Sequence, residues 1–233
     1  MKLLKTNAEN TKIKKSENGS EYRIASLSMM PDNKICPSSK AAGCFKSCLK
    51  SAGMGIFKNV AAGRQSRTDF WHNDQPAFLA QLMREISNFR KLCHKQGKKP
   101  AIRLNTISDI AWEKYGIPQA FPDVKFYDYT KRANRLGKTP PNYQLIFSYS
   151  GRAQYRRQVD IALNNSVPIA VGFNGDMPAQ YLGRHVIDGD KSDLVNVDSG
   201  NVIIGLKAKG KAKKDDSGFV VNANIIPSLM VVA

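Results

Sequence analysis

Residues 143–173, YQLIFSYSGRAQYRRQVDIALNNSVPIAVGF, contain a strand, a helix and a second strand in succession. The apolar runs Tyr143–Tyr149 and Val167–Phe173 have the length of buried strands. Between them, the segment Arg152–Asn164 carries apolar residues at four-residue steps, which is the spacing of one helix face. Two strands joined by a helix pair in parallel through a right-handed crossover. This stretch therefore predicts an α/β fold.

The same alternation extends along the rest of the chain. Further strands are predicted at Tyr22–Met30, Ala101–Leu104, Val124–Tyr129 and His185–Asp188. A long helix is predicted between Asp74 and Gly97, because one apolar stripe recurs there at three- and four-residue steps. The stripe consists of Phe78, Leu82, Ile86, Phe89 and Cys93. Five or six strand–helix units are too few for an eight-fold barrel, so we expect a partial (β/α) barrel of mostly parallel strands.

The chain divides into an arm and one domain. Residues 1–20 are polar and rich in lysine, and we expect a basic, flexible arm. Residues 21–233 are expected to form a single α/β domain that includes a loop with a cysteine cluster at 36–48. Near its end, 201–221 is predicted as an antiparallel C-terminal hairpin with a basic, charged tip.

The charge of the chain indicates an anionic partner. There are 36 Lys and Arg residues against 19 Asp and Glu residues, a net charge of +17. Such a chain attracts polyanions, so a nucleic acid or nucleotide is an expected partner, and an acidic protein is another. A merely solvated basic surface explains the charge equally well. The sequence has no apolar run of membrane-spanning length and no secretory signal, so we expect a cytoplasmic protein that contacts no membrane.

Cys36, Cys44 and Cys48 lie within thirteen positions, with the spacing C-x7-C-x3-C. Thiolates are soft ligands that favour iron–sulfur clusters or zinc, and three of them leave one coordination position open. An iron–sulfur cluster is the leading interpretation, zinc is the alternative metal, and three free thiols without a metal are a third possibility. Four residues are candidates for a fourth ligand: Cys93, His72, His94 and His185. Cys93 lies on an apolar helix stripe, which favours core packing.

Polar residues cluster where the predicted strands end. The carboxyl ends of parallel strands form the usual active-site face, so we expect a polar pocket beside the cysteine loop. Its expected cofactor-binding residues are Asn105, Ser108, Asp109, Ser148, Ser150 and Asn174. Its expected substrate-binding residues are Asp128, Lys131, Arg132, Asp188 and Asp190. Among these, Lys131 and Arg132 are suited to a carboxylate or phosphate. Polar turns at strand ends would produce the same pattern without any pocket.

Several segments resemble the gene product 88 family of bacteriophage proteins. They are CPSSKAAGCFKSCLKSAG, RQSRTDFW, RLNTISDIAWE, FPDVKFYDYTKR and NYQLIFSYSG, and the resemblance runs from about residue 22 to residue 210. It implies a phage-encoded protein that works in the cytoplasm of the host cell, so the expected acidic protein partner would be a host protein.

The layout of a strand, a three-cysteine loop and further βα units is also similar to the radical S-adenosylmethionine (SAM) superfamily. That resemblance implies a 4Fe-4S cluster whose open iron binds SAM, with Ser108 and Asp109 as contacts for its amino group. Here the cysteine spacing differs from the usual C-x3-C-x2-C, and no Gly-Gly pair follows the second strand. The implied function is an iron–sulfur enzyme that modifies a nucleotide or nucleic acid. The alternative is a non-catalytic nucleic-acid-binding protein with a structural zinc site.

Overall fold

The computed structural model describes residues 1–6, 15–48 and 53–225. Within these residues ten strands form a sheet. They are β1 Leu4–Thr6, β2 Tyr22–Leu27, β3 Lys99–Arg103, β4 Lys125–Thr130, β5 Tyr143–Ser148, β6 Ile169–Asn174, β7 Gln180–Tyr181, β8 Arg184–Asp188, β9 Ile203–Lys207 and β10 Val221–Asn222. Their order across the sheet is β1-β2-β3-β4-β5-β6-β9-β8-β7, and β10 pairs with the last two residues of β6.

Most neighbouring strands run parallel. β2 to β6 pair in parallel in chain order, and β9 and β8 continue the parallel sheet beyond β6. β1 and β7 pair antiparallel with their neighbours and form the two edges. Because both edges remain, the sheet is open and does not close into a barrel. The predicted α/β class, with a partial barrel of mostly parallel strands, is confirmed.

The helices lie between these strands. The α-helices are α1 Lys58–Asn73, α2 Gln75–Lys95, α3 Ile117–Ala120, α4 Arg156–Leu163 and α5 Asp193–Val197. Short 3-10 helices occupy Gly53–Ile56, Trp112–Tyr115, Ala133–Arg135, Ala153–Tyr155, Gly210–Lys214 and Ala223–Ile225. Among the described residues, none of these helices is apolar over the length that crossing a bilayer requires.

Helix α2 matches its prediction closely. The Asp74 carboxylate accepts a hydrogen bond from the Ala77 amide at 3.0 Å, which caps the first turn. Gly97 follows the helix at a φ of +63°, a conformation that glycine adopts without steric cost. All five residues of the predicted stripe are buried. Helix α1 was not predicted, because its buried residues include the polar Arg67 and Thr68 and therefore form no apolar stripe.

The sheet has two faces with different partners. Side chains on one face, such as Ile102, Phe126 and Phe147, pack in a large core together with α2 and α4. Alternate residues point to the other face, which we call the inner face. There Ile24, Ala101, Tyr127, Ile146, Ala170 and Ile204 pack against Leu194 and Val197 of α5. This apolar layer forms a floor inside the partial barrel, and the space above it holds the candidate site.

Two predictions differ from the structure. An antiparallel hairpin is present near the C-terminal end, but it consists of β7 and β8 rather than 201–221. In that range, β9 and β10 both pair in parallel with β6. These pairings join residues far apart in the sequence, which a pattern of neighbouring residues does not predict. The expected flexible arm also differs at its start. Leu3 and Leu4 are buried and residues 4–6 form β1, while 7–14 lie outside the described residues.

Candidate metal centre

A cavity of about 790 Å³ opens at the carboxyl ends of the parallel strands, above the apolar floor. The strands supply its wall through alternate residues on the inner face. Arg103 and Asn105 come from β3 and the residues after it, Tyr129 and Lys131 from the end of β4, and Ser148 from β5. Side chains two positions apart share one face of a strand. The polar residues at the strand ends therefore lie on the same face as the apolar floor residues that precede them.

All three clustered cysteines line this cavity as free thiols. They lie on turns that follow β2, and local hydrogen bonds fix the first turn. The Asp32 carboxylate accepts from the amides of Lys34 and Ile35, and the Cys36 amide donates to the Asp32 carbonyl. The Asp109 amide donates to the carbonyl of Ile35, which ties the loop to the residues after β3. The residues that follow β3, at the carboxyl end of the sheet, thus help to position the cysteine loop.

Gly43 allows the cysteine loop to pack closely against a segment that includes Ser217. Its φ is +77°, and an added Cβ would lie 2.7 Å from the Ser217 hydroxyl and 2.8 Å from the Arg152 side chain. Only glycine fits a position with both constraints. The segment 210–220, which we call the strap, therefore lies directly on the cysteine loop.

The thiols are strongly affected by burial. The pKa of Cys36 is raised to about 12, mainly by burial and to a smaller extent by the nearby Asp109 carboxylate and the other two cysteines. Burial also raises the pKa of Cys44, against a lowering contribution from Lys131. A thiol in such surroundings remains protonated at neutral pH unless a cation replaces its proton. The mutual influence of the three cysteines shows that they share one neighbourhood.

Lys131 is the buried cation of this neighbourhood, with 8% of its surface exposed. Its ammonium donates to the Ser148 hydroxyl at 2.8 Å and lies 4.4 Å from the centre of the Phe219 ring. Burial lowers its pKa, whereas Cys44, Cys36 and Asp109 raise it. Within the described residues, no carboxylate lies within ion-pair distance of this ammonium. A buried charge needs an anionic partner, and the groups whose negative charge favours the ammonium include all three cysteines and Asp109.

A hydrogen-bonded network supports the wall from below. One Asp109 carboxylate oxygen accepts from the Thr130 hydroxyl and from Arg135, and the other accepts from the Lys131 amide. Asp128 accepts from the Asn105 amide and side chain and from the Tyr143 hydroxyl. These contacts fix the backbone that carries Asn105 and Lys131. They also occupy both carboxylates.

The expected pocket residues divide into two groups. Six of them line the cavity: Asn105, Ser108, Asp109, Lys131, Ser148 and Asp190. The other five do not line it: Ser150, Asn174, Asp128, Arg132 and Asp188. Asp128 is buried beneath the wall, and the Ser150 hydroxyl donates to the Ala42 carbonyl. Arg132 donates to the Asp109 carbonyl. Asn174 and Asp188 are exposed, with contacts to Lys213 and Asp190.

The candidate fourth ligands lie away from the cavity wall. His72 pairs with Asp32 at 2.7 Å, and His94 lies 3.5 Å from Asp123. His185 is an exposed residue of β8. Cys93 is completely buried in the core beside the rest of the α2 stripe, in agreement with its predicted packing role. The described residues therefore supply only Cys36, Cys44 and Cys48 as thiols at the cavity.

Among the described residues, the three thiols do not form a ready-made site for one metal ion. In the part of the chain that the structure describes, no three His, Cys, Asp or Glu side chains converge as the ligands of one ion would. A zinc ion holds each sulfur at about 2.3 Å, which brings the sulfurs close together. In an iron–sulfur cluster each cysteine binds a different iron, so the sulfurs lie further apart. The iron–sulfur interpretation and the zinc alternative both stay predictions.

Comparison with known families gives one match. The chain matches the family described as Gene product 88 over residues 1–223, which include all three cysteines. The chain belongs to this family. The predicted resemblance to these bacteriophage proteins is confirmed. Comparisons with curated proteins and with solved structures found no match, so the radical SAM resemblance stays a prediction.

Several cavity residues of this Gene product 88 protein were missed by the sequence reasoning. They are Arg64 and Arg67 of α1, Arg103 of β3, Tyr129 of β4 and Phe219 of the strap. Arg103 was detectable, because it lies two positions after Ala101 in a predicted strand and therefore on the same face. The two arginines of α1 lie three positions apart and share a helix face. No such face was considered, since helix α1 itself was not predicted.

Proposed function

We propose that the protein holds an iron–sulfur cluster on Cys36, Cys44 and Cys48 and uses it in a reaction on a ligand in the same cavity. The observation that carries this proposal is the buried Lys131 ammonium, which lies beside three free thiols and lacks a carboxylate partner within the described residues. Thiolates bound to a metal would supply the missing negative charge. A bound cation would in turn offset the cost of ionising thiols whose pKa is raised by burial.

The chain's own residues would have defined roles around this centre. Lys131 would stabilise the thiolates, and Ser148 would hold the ammonium in place. Phe219 would cover the ammonium from the strap and limit the access of water. A cluster of this type supplies electrons one at a time, and an open iron also binds a ligand. The resemblance to the radical SAM superfamily suggests SAM as that ligand.

The polar groups available to such a ligand are fewer than the sequence predicted. The Asn105 carbonyl oxygen accepts from the Ser108 hydroxyl and the Ile110 amide, and its amide nitrogen donates to Asp128. Asn105 is therefore occupied within the wall. The hydroxyl oxygens of Ser108 and Ser148 still have capacity to accept a hydrogen bond from an ammonium group. We propose these two hydroxyls as the contacts for the amino group of SAM.

Metal analysis of the full chain, purified without exposure to air, tests the cluster. We expect brown protein with about four irons per chain and matching sulfide. Cys36→Ser, Cys44→Ser and Cys48→Ser should each lose most of the iron and the colour. Cys93→Ala is the matched control, since Cys93 packs in the core, and it should keep both. Chemical unfolding of each variant separates loss of the cluster from loss of the fold.

Two results would reject the proposed cluster. Colourless protein with one zinc per chain that depends on the same three cysteines would establish the structural zinc alternative instead. Iron that remains after all three cysteines are replaced would show that these thiols are not the ligands. Binding of SAM is measured separately, by calorimetry on the iron-loaded protein and on Ser148→Ala.

A further inference from the structure

The cavity wall carries more positive than negative charge. Seven cationic side chains from different parts of the chain line it: Lys5, Arg64, Arg67, Arg103, Lys131, Lys207 and Lys209. Two of them also hold the fold together, since Arg67 donates to the carbonyl of Ser28 and Arg103 pairs with the carboxylate of Asp193. Asp109 and Asp190 are the acidic residues among the lining residues that the structure describes. An anionic ligand is the chemistry that this wall favours.

Neither acidic residue neutralises the whole wall. The Asp109 oxygens are occupied by Arg135, Thr130 and the Lys131 amide. Asp190 binds the Lys209 ammonium at 2.6 Å and accepts from the Lys207 amide at 3.1 Å. These two contacts fix the residues after β9 and hold Lys209 at the cavity. The Lys207 side chain is exposed, and no carboxylate among the described residues lies within ion-pair distance of its ammonium.

Apolar surface adjoins these lysines. Leu206 precedes Lys207 on β9, and Val220 and Phe219 come from the strap, and all of them line the same cavity. The first turn of α1 also borders the cavity at Asn59 and Val60, and its amides add partial positive charge. A volume of about 790 Å³ accommodates a ligand of nucleotide size. The site thus combines a cationic rim with an apolar wall.

We propose that the cavity binds a phosphate ester of a nucleoside, with the phosphate at Lys207 and Lys209 and the base against Leu206 and Val220. This inference names the substrate class of the function proposed above. That the ligand is a substrate rests on that proposed function. The nucleoside phosphate is either a free nucleotide or one residue of a nucleic acid, since both carry the same chemical groups. Binding itself requires no cluster, so it is measured independently.

Calorimetric titration of the full chain at low salt tests the site with three probes. ATP represents a free nucleotide, a short single-stranded DNA represents a nucleic acid, and adenosine lacks the phosphate. The double variant Lys207→Gln/Lys209→Gln should bind the phosphate-bearing probes at least about tenfold more weakly, because it loses two charge-assisted hydrogen bonds at exposed positions. Adenosine should bind both proteins equally. Lys209→Arg should bind like the wild type, because it keeps the charge and the pair with Asp190.

Lys211→Gln/Lys213→Gln is the matched control. This double variant loses the same charge as Lys207→Gln/Lys209→Gln. Its two lysines, however, are exposed in the strap and are not among the residues that line the cavity. The control should bind within about twofold of the wild type. Dependence of ATP binding on Lys207 and Lys209 supports a free nucleotide, and dependence of DNA binding alone supports a nucleic acid. Equal affinity of the two double variants for both probes, or no binding of either probe, would overturn the proposal.

The proposals of the cluster and of the phosphate site are tested independently. The triple variant Cys36→Ser/Cys44→Ser/Cys48→Ser should lose the iron and keep the binding of the phosphate-bearing probe. The double variant Lys207→Gln/Lys209→Gln should keep its iron and bind that probe more weakly, as above. A wrong cluster assignment therefore leaves the phosphate result intact.

Discussion

Asp128 is a completely buried carboxyl beneath the cavity wall. Burial raises its pKa to about 7, against lowering contributions from the Tyr143 hydroxyl and the Asn105 amide. In the unfolded chain the same carboxyl titrates near pH 4. Between these values only the folded chain holds the proton, so its stability falls as the pH rises. Below both values the carboxyl is protonated in both states, and its contribution is constant.

The free energy of unfolding should therefore contain a pH-dependent contribution from Asp128. Relative to Asp128→Asn, the wild type should lose about 2 kcal/mol of stability between pH 5 and pH 7. Chemical denaturation of both proteins at a series of pH values measures the difference. Asp128→Asn cannot ionise at this position, so it is the reference for the wild type at each pH. A difference that stays constant over this range would show that Asp128 is ionised throughout.

Sequence reasoning found the residues of the site unevenly. The cysteines were recognisable because their spacing is local, and Asn105, Ser108 and Lys131 because polar residues at strand ends gather at one edge. Asp128 was misplaced, since it lies within β4 on the face toward the Asn105 amide and not at the end of the strand. Ser150 was misplaced for a related reason: its hydroxyl turns back to the Ala42 carbonyl. Such orientations depend on partners that are distant in the sequence.

At the scale of elements, the strap is held to the cysteine loop by Asp215. Its carboxylate accepts from the Ser47 hydroxyl at 2.6 Å, from the Ser217 hydroxyl at 2.9 Å and from the Val220 amide at 3.0 Å. These hydrogen bonds outweigh burial and hold its pKa below the ordinary value. Asp215 therefore joins the two segments that flank the cavity.

Removing this carboxylate should loosen the strap. Asp215→Ala should lower the free energy of unfolding by about 1–3 kcal/mol, because several buried donors lose their acceptor. In metal-free protein it should also speed the labelling of Cys44 and Cys48 by a thiol reagent several-fold. Asp216→Ala is the control, since this neighbouring carboxylate is exposed and should change neither quantity. Equal labelling rates in the two variants would contradict the role of the strap as a cover.

The elements themselves were predictable where their signal was local. The α2 stripe, the Asp74 cap and the apolar runs of β4 to β6 all follow from neighbouring residues. Helix α1 gave no such signal, because Arg67 points toward the carbonyls of Lys2 and Ser28 and takes a place that an apolar residue usually fills. The place of β9 was not predictable either, since its pairing with β6 connects residues about 34 positions apart.

At the scale of the whole molecule, the net charge of +17 acts on any polyanion irrespective of the cavity. The affinity for single-stranded DNA should fall linearly with salt on a logarithmic plot, with a slope of about 0.7 per phosphate contact. Lys207→Gln/Lys209→Gln should reduce that slope by about 1.4 at most. Titrations over a series of salt concentrations measure it. A slope that disappears entirely in the double variant would mean that the remaining basic surface takes no part in binding.

The strand order fixes when the cavity is completed during synthesis. β9 lies between β6 and β8 although it leaves the ribosome after both, and the strap follows it. A nascent chain therefore carries all three cysteines, and the wall formed by β2 to β6, well before the residues that close the cavity exist. During that interval the thiols face an unfinished enclosure that the strap does not yet cover.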